Sequence, residues 1–222
     1  MKKILYITLL LGCTVNAQLR NKNDIEFIPF IGVANSNYFG SEVVRDNKSL
    51  FAPVFGINAE FYMSNRWSVK MGIEHQTTGT RGFTARKAAN PITPNISEQH
   101  YEKEKLNFVS FPVHLNFHLG KARNWNINLG PTLSFLISGT VDGEKISLDG
   151  FRNEQIGMGL GFGYRFKISE NFSIAADYQE YISFTSTVFR GFGSKKNFIG
   201  NLSGSLNVKV IFKLKSNVAS EE

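Results

Sequence analysis

The sequence predicts an all-β protein, an eight-stranded antiparallel up-and-down barrel that spans a membrane. Three observations carry that expectation. Apolar and polar residues alternate with a period of two through eight segments of the chain. The connections between those segments run long, short, long, short. The polar rows are dominated by small residues with scattered charges, and the apolar rows by large ones.

Leu106 to Ile137 shows the pattern best. Val109, Phe111, Val113, Leu115, Phe117 and Leu119 form an apolar row, and Ser110, His114, Asn116 and His118 lie in the other. After a polar turn, Gly120 to Asn124, Trp125, Ile127, Leu129, Leu133, Phe135 and Ile137 alternate with Asn126, Asn128, Gly130, Thr132 and Ser134. Successive strand side chains point to opposite faces, so this is a hairpin with one apolar and one small polar face.

The chain begins Met1-Lys2-Lys3, continues with an apolar run from Ile4 to Leu11, and reaches Asn16-Ala17-Gln18. A basic start, a short apolar run and a small residue before the cut mark residues 1–17 as a secretory signal peptide. Leu10-Leu11-Gly12-Cys13 raises the alternative of a lipidated Cys13, which the bulky Leu11 disfavours. Cys13 is the single cysteine, so residues 18–222 would hold neither a disulfide nor a thiolate. The formal net charge is +7. On an exported chain that charge points to anionic lipid head groups rather than nucleic acid.

The strands follow in order near 24–34, 51–63, 67–78, 106–119, 125–137, 152–166, 172–184 and 197–214. Ile25, Phe27, Pro29, Ile31 and Val33 share a face in the first, and Phe51, Phe55, Ile57, Ala59 and Phe61 in the second. Trp67, Val69, Met71 and Ile73 do so in the third; the next two form the hairpin above. In the sixth, Ile156, Met158, Leu160, Phe162 and Tyr164 alternate with Gly157, Gly159, Gly161 and Gly163. A seventh strand follows, in which Glu180 falls on the apolar row, and an eighth carries Leu202, Leu206, Val208, Val210 and Phe212. Glu180 implies either a position near the membrane rim or a bulge. Asn35 to Leu50, Gly79 to Lys105, Ser138 to Phe151 and Thr185 to Lys196 read as loops. Trp67, Trp125 and Phe172 each follow a short polar turn, which would set them at one level as an interfacial girdle.

A soluble barrel of the lipocalin kind would turn the apolar face inward, and a membrane barrel turns it to lipid. Uniformly large residues would overfill the interior of eight strands, whereas Gly, Ser, Asn and Thr suit it. A water-facing surface would carry more charge of both signs. Long loops at one end and tight turns at the other are the outer-membrane pattern.

Asn16-Ala17-Gln18, Phe111-Pro112-Val113-His114-Leu115 and the Gly130-Pro131 step give the chain a resemblance to the PorT-like small outer-membrane β-barrel family. The resemblance covers nearly the whole mature chain and implies a barrel in the cell outer membrane, with no catalytic residues to carry over. Lys213 to Glu222 follow Phe212, so the chain departs from the terminal aromatic common in such barrels. The resemblance also implies, through the PorT branch, an accessory role in protein secretion.

Inward positions collect Glu26, Glu60, Lys70, Glu74, Arg165, Asp177, Lys209 and Lys213. Both signs at one level suggest a salt-bridged plug, with a charge-lined passive pore as the alternative. The glycine row of the sixth strand could leave a void. His114 and His118 share a face but lie ~13 Å apart, too far to clamp one metal. No cofactor is expected, and the glycines lack a Gly-x-Gly-x-x-Gly triplet. No His-x-Ser-Asn run follows either histidine, and no enzyme is expected. Arg81, Arg86, Lys87, Arg190, Lys195 and Lys196 could contact lipopolysaccharide phosphates. The expected role is structural or interactive, with outer-membrane lipid, lipopolysaccharide and another envelope protein as partners.

Overall fold

A strand cannot satisfy its own backbone N–H and C=O groups, and in lipid no water does so, so strands of this composition must close on one another. The computed structural model describes residues 20–40, 48–86, 98–149, 151–187 and 198–214. Its strands are β1 (Ile25–Gly40), β2 (Lys48–Tyr62), β3 (Trp67–Arg86), β4 (Glu98–Leu119), β5 (Trp125–Val141), the two-residue β6 (Glu144–Lys145), β7 (Glu154–Lys167), β8 (Phe172–Ser183) and β9 (Ile199–Leu214). They pair in the order β4-β3-β2-β1-β9-β8-β7-β5, and β4 also pairs with β5. Every pairing is antiparallel, so eight strands form a closed barrel while β6 folds back on β5 alone. The seam joins β1 to β9 from Ile25↔Leu214 to Gly40↔Ile199.

Residues 63–66, 120–124 and 168–171 make the tight turns at one end. In the second of these Gly120, at φ 82°, supplies a left-handed conformation that costs glycine little. The strands run further than alternation indicated at the other end. Asn35–Gly40 continues β1, Lys48–Leu50 begins β2, and β5 continues to Val141. The segment read as the longest loop is largely a hairpin, with β3 and β4 paired up to Arg86↔Glu98. Beyond the apolar band the outer face no longer carries a row of large apolar residues, so the hydrophobic alternation stops while the backbone ladder continues. Β-ladder continuity also settles Glu180: it pairs with Leu160 and Gly204 in unbroken register, so no bulge places it on the outer face.

The apolar row faces outward. Ile31, Ile57, Ile73 and Leu206 are 50–68% exposed, whereas the inward Ser68 and Asn128 are 0–1% exposed. So large an apolar surface is stable against lipid rather than water. The interior is divided by height. Polar and charged side chains fill the end nearest the tight turns. At the other mouth Tyr38, Leu106, Phe108 and Leu136 form a buried apolar cluster, against which Ile146, Leu148, Phe151 and Ile199 pack. Ile146, Leu148 and Phe151 come from the connection after β6, which thereby folds across the mouth.

Candidate functional site

The site is the polar half of the lumen. Strand period places Glu26 on β1, Glu60 on β2, Lys70 and Glu74 on β3, Arg165 on β7, Asp177 on β8, and Lys209 and Lys213 on β9, all on inward rows. Arg165 donates from Nη1 and Nη2 to the two oxygens of Glu26, at 2.7 and 2.5 Å. A guanidinium fork on a carboxylate is the strongest common ion-pair geometry. Tyr62 Oη donates to the same carboxylate at 2.8 Å, and Arg20 Nε does so at 3.4 Å. The Arg20 guanidinium also lies over the Tyr62 ring, 5.2 Å from its centroid.

Glu60 is the second node. It accepts from Ser68 Oγ, from Asn116 Nδ2 at 2.6 Å, and faces His118 Nε2 at 3.0 Å. Asp177 pairs with Lys209 and accepts from Asn207 Nδ2 at 3.0 Å. Glu74 accepts from Asn58 Nδ2 at 3.3 Å. Lys213 sits lower, paired with Asp24 at 2.7 Å beside the tight turns. Lys70 is buried among these groups without an ion-pair partner among the described residues. Each buried charge is expensive unless paired and hydrogen-bonded, which these networks largely achieve.

The glycine row of β7 is bordered by side chains of neighbouring strands. Side chains from neighbouring strands occupy the space that larger residues would fill. A Cβ at Gly159 would lie 2.6 Å from His114 Nε2, and one at Gly161 would lie 2.3 Å from Gln179 Oε1. A Cβ at Gly157 would meet the Tyr181 ring at 2.5 Å. The His114 ring is held there by Asn128 Oδ1 at 3.0 Å and Thr132 Oγ1 at 3.2 Å. What remains between Arg20, Glu60, Lys70, His118, Arg165 and Lys209 is a cavity of about 20 Å³, room for about one water.

Ser68, His118 and Glu60 form a hydrogen-bonded triangle that needs comparison with a hydrolytic triad. In a triad the base uses one ring nitrogen for the nucleophile and the other for the carboxylate. Here Ser68 Oγ and Glu60 Oε1 both approach Nε2, at 2.9 and 3.0 Å, while Nδ1 faces Arg20 Nη1 at 3.3 Å. Ser68 bonds Glu60 directly, and all three residues are buried. That arrangement locks side chains together rather than activating a hydroxyl. Among the described residues no group of three or more His, Cys, Asp or Glu is placed to hold a metal ion.

Trp67, Trp125 and Phe172 all open strands after tight turns and face outward. Trp67 packs on Phe117 with centroids 4.5 Å apart, Trp125 on Tyr164 at 4.5 Å, and Phe172 on Phe212 at 5.6 Å. Arg81 is exposed near the far end of β3, where Nε donates to Ser49 O at 3.0 Å. Arg86 ends β3. Lys87, Arg190, Lys195 and Lys196 lie outside the described residues, as do the signal segment 1–17 and Cys13. Sequence reasoning missed Arg20, Tyr62, Asn116 and Asn207. Tyr62 and Asn116 follow from the inward rows of Glu60 and His118, but Arg20 precedes β1, where no periodicity exists to place it.

A family model described as outer membrane protein beta-barrel domain matches residues 16–189. No curated protein matches the chain. Among the solved structures that match, three are similar at low identity. The attachment invasion locus protein Ail of Yersinia pestis is 15% identical, covering 86% of this chain and 99% of its own, with a TM-score of 0.43. Neisserial surface protein A is 16% identical, with coverage of 85% and 97% and a TM-score of 0.47. OprG from Pseudomonas aeruginosa is 12% identical, with coverage of 90% and 100% and a TM-score of 0.49.

Proposed function

Since the chain belongs to the outer membrane protein beta-barrel domain family and resides in the cell outer membrane, we propose that it is a sealed, non-enzymatic scaffold presenting its external loops. Short turns of such barrels face the periplasm and long connections face outward. The observation that supports a sealed lumen is its two-layer filling. The periplasmic half is occupied by the Glu26–Arg165 and Glu60–His118 networks, and the external half by the Tyr38, Leu106, Phe108 and Leu136 cluster. An ion would have to displace both layers, one ionic and one apolar.

Within the family we place the chain among the PorT-like barrels, on its Phe111–Leu115 segment and Gly130-Pro131 step. Lipid and lipopolysaccharide surround the wall, and another envelope protein is the partner of the external loops. The test joins two measurements on the refolded barrel. Planar-bilayer recording is expected to stay silent. Removing residues 87–97 is expected to abolish capture of the envelope partner while the barrel still folds. Steady conductance steps would replace the scaffold with a passive pore. Capture that survives the deletion would move the interaction away from that loop.

A further inference from the structure

The outward faces of β3 and β4 change character with height, in register. From the periplasmic end, Trp67, Val69, Met71 and Ile73 on β3 stand beside Phe117, Leu115, Val113 and Phe111 on β4. Above this apolar wall comes a polar row. Thr77 Oγ1 donates to Asn107 Oδ1 at 2.7 Å, and Asn107 Nδ2 donates to Ser138 Oγ at 2.9 Å. Above that row lie cations. Lys48 on β2 is directly opposite Arg81 on β3, which is directly opposite Lys103 on β4. Lys105 stands one step lower, opposite Gly79, which has no side chain to obstruct it.

Like charges directly opposite one another on neighbouring strands repel, so three in a row destabilise an isolated barrel. Among the described residues no carboxylate interleaves them. Asp142, at the β5 end of the row, turns its carboxylate to the Lys103 backbone N–H at 2.7 Å, and Glu104 points into the lumen to accept from Tyr38 Oη. The rim is one-sided, because on β7 the comparable outer position is Glu154. Arg81 is fourteen positions beyond Trp67, a rise of about 35 Å at ~2.5 Å of height per tilted residue, against an apolar band of about 25 Å. The row therefore stands above the hydrocarbon, at head-group level.

We propose that Lys48, Arg81, Lys103 and Lys105 bind the phosphate groups of lipopolysaccharide. The acyl chains of the same molecule lie on the apolar wall below, and its sugar hydroxyls and amides meet Asn107 and Ser138. Charge, polarity and apolarity follow one another along the strands as they do along such a lipid. The proposal rests on the outer-membrane location and is independent of whether the lumen conducts.

The test uses the full refolded barrel in phosphatidylcholine nanodiscs at about 0.15 M salt, with native mass spectrometry counting retained lipid A. Diphosphorylated lipid A is expected to be retained about tenfold better than its dephosphorylated form. Replacing Lys48, Arg81, Lys103 and Lys105 by Gln should remove that difference, while Arg66→Gln with Lys121→Gln at the periplasmic end should leave it. Equal retention of the two lipids by the unaltered barrel overturns the proposal without any variant. So does an unchanged preference in the Gln variants, read one at a time if the fourfold variant does not fold. Competition by inorganic phosphate as effective as that of the lipid would mean a free-anion site and would also overturn it.

Discussion

Arg165 reaches across the lumen from β7 and meets both oxygens of Glu26 on β1. Removing one partner leaves a buried charge alone, which typically costs about 3–5 kcal/mol. Arg165→Ala is therefore expected to lower barrel stability by about that amount, read from urea unfolding in lipid vesicles. Arg165→Met combined with Glu26→Gln should recover much of the loss, because neither residue then carries a charge. A double variant as unstable as Arg165→Ala would show that the guanidinium acts through packing instead. Gly159 makes a second residue-scale case. Its missing side chain is the space taken by the His114 ring. Gly159→Val is expected to cost about 1–3 kcal/mol through overpacking, and His114→Ala in the same chain to restore part of it. Such pairs were only half legible in the sequence. Alternation put Glu26, Arg165 and Gly159 on the inner face, but which inner residues meet depends on registers across strands far apart in the chain.

At the scale of the strand, inside and outside were readable because a period of two survives wherever one face meets lipid. It faded where β1, β3 and β4 leave the apolar band, and the hairpin up to Arg86↔Glu98 therefore resembled a loop. Its Lys and Glu residues are ordinary for a solvated ladder and carry no periodic signal. The outer face has a graded sensitivity that can be measured. Ile57 stands five positions from the periplasmic end of β2 and is 50% exposed. Ile57→Lys should destabilise the barrel by about 2–4 kcal/mol in vesicles, as a cation near the bilayer midplane does. Glu180→Lys, near the external rim, should change stability by about 0–1 kcal/mol. Equal costs at the two sites would contradict the depth assigned to them.

For the whole molecule, the proposed seal consists of two filling layers in series. Replacing Ile146, Leu148 and Phe151 by Ser should loosen the apolar cap, yet the ionic layer would still block passage. Current is expected only when this change is combined with Arg165→Ala, and bilayer recordings of the two single-layer variants and their combination would check it. Conductance from the cap variant alone would mean that the ionic layer leaks. The closed ring was foreseeable from eight amphipathic segments with alternating connection lengths. The cap was not, because Ile146, Leu148 and Phe151 lie in a segment that reads as an ordinary loop.

The seam between β1 and β9 gives the ring no privileged starting point. An incomplete ribbon would leave two rows of unpaired peptide groups in hydrocarbon, so a chain halted before β9 has no stable place in the bilayer. The first strand must wait for the last, which makes assembly a single late event. Once shut, the ring has no use for the order in which its strands were made. A version that begins within an outer loop, with Asp24 tied to Leu214 by a short linker, should fold to the same cylinder.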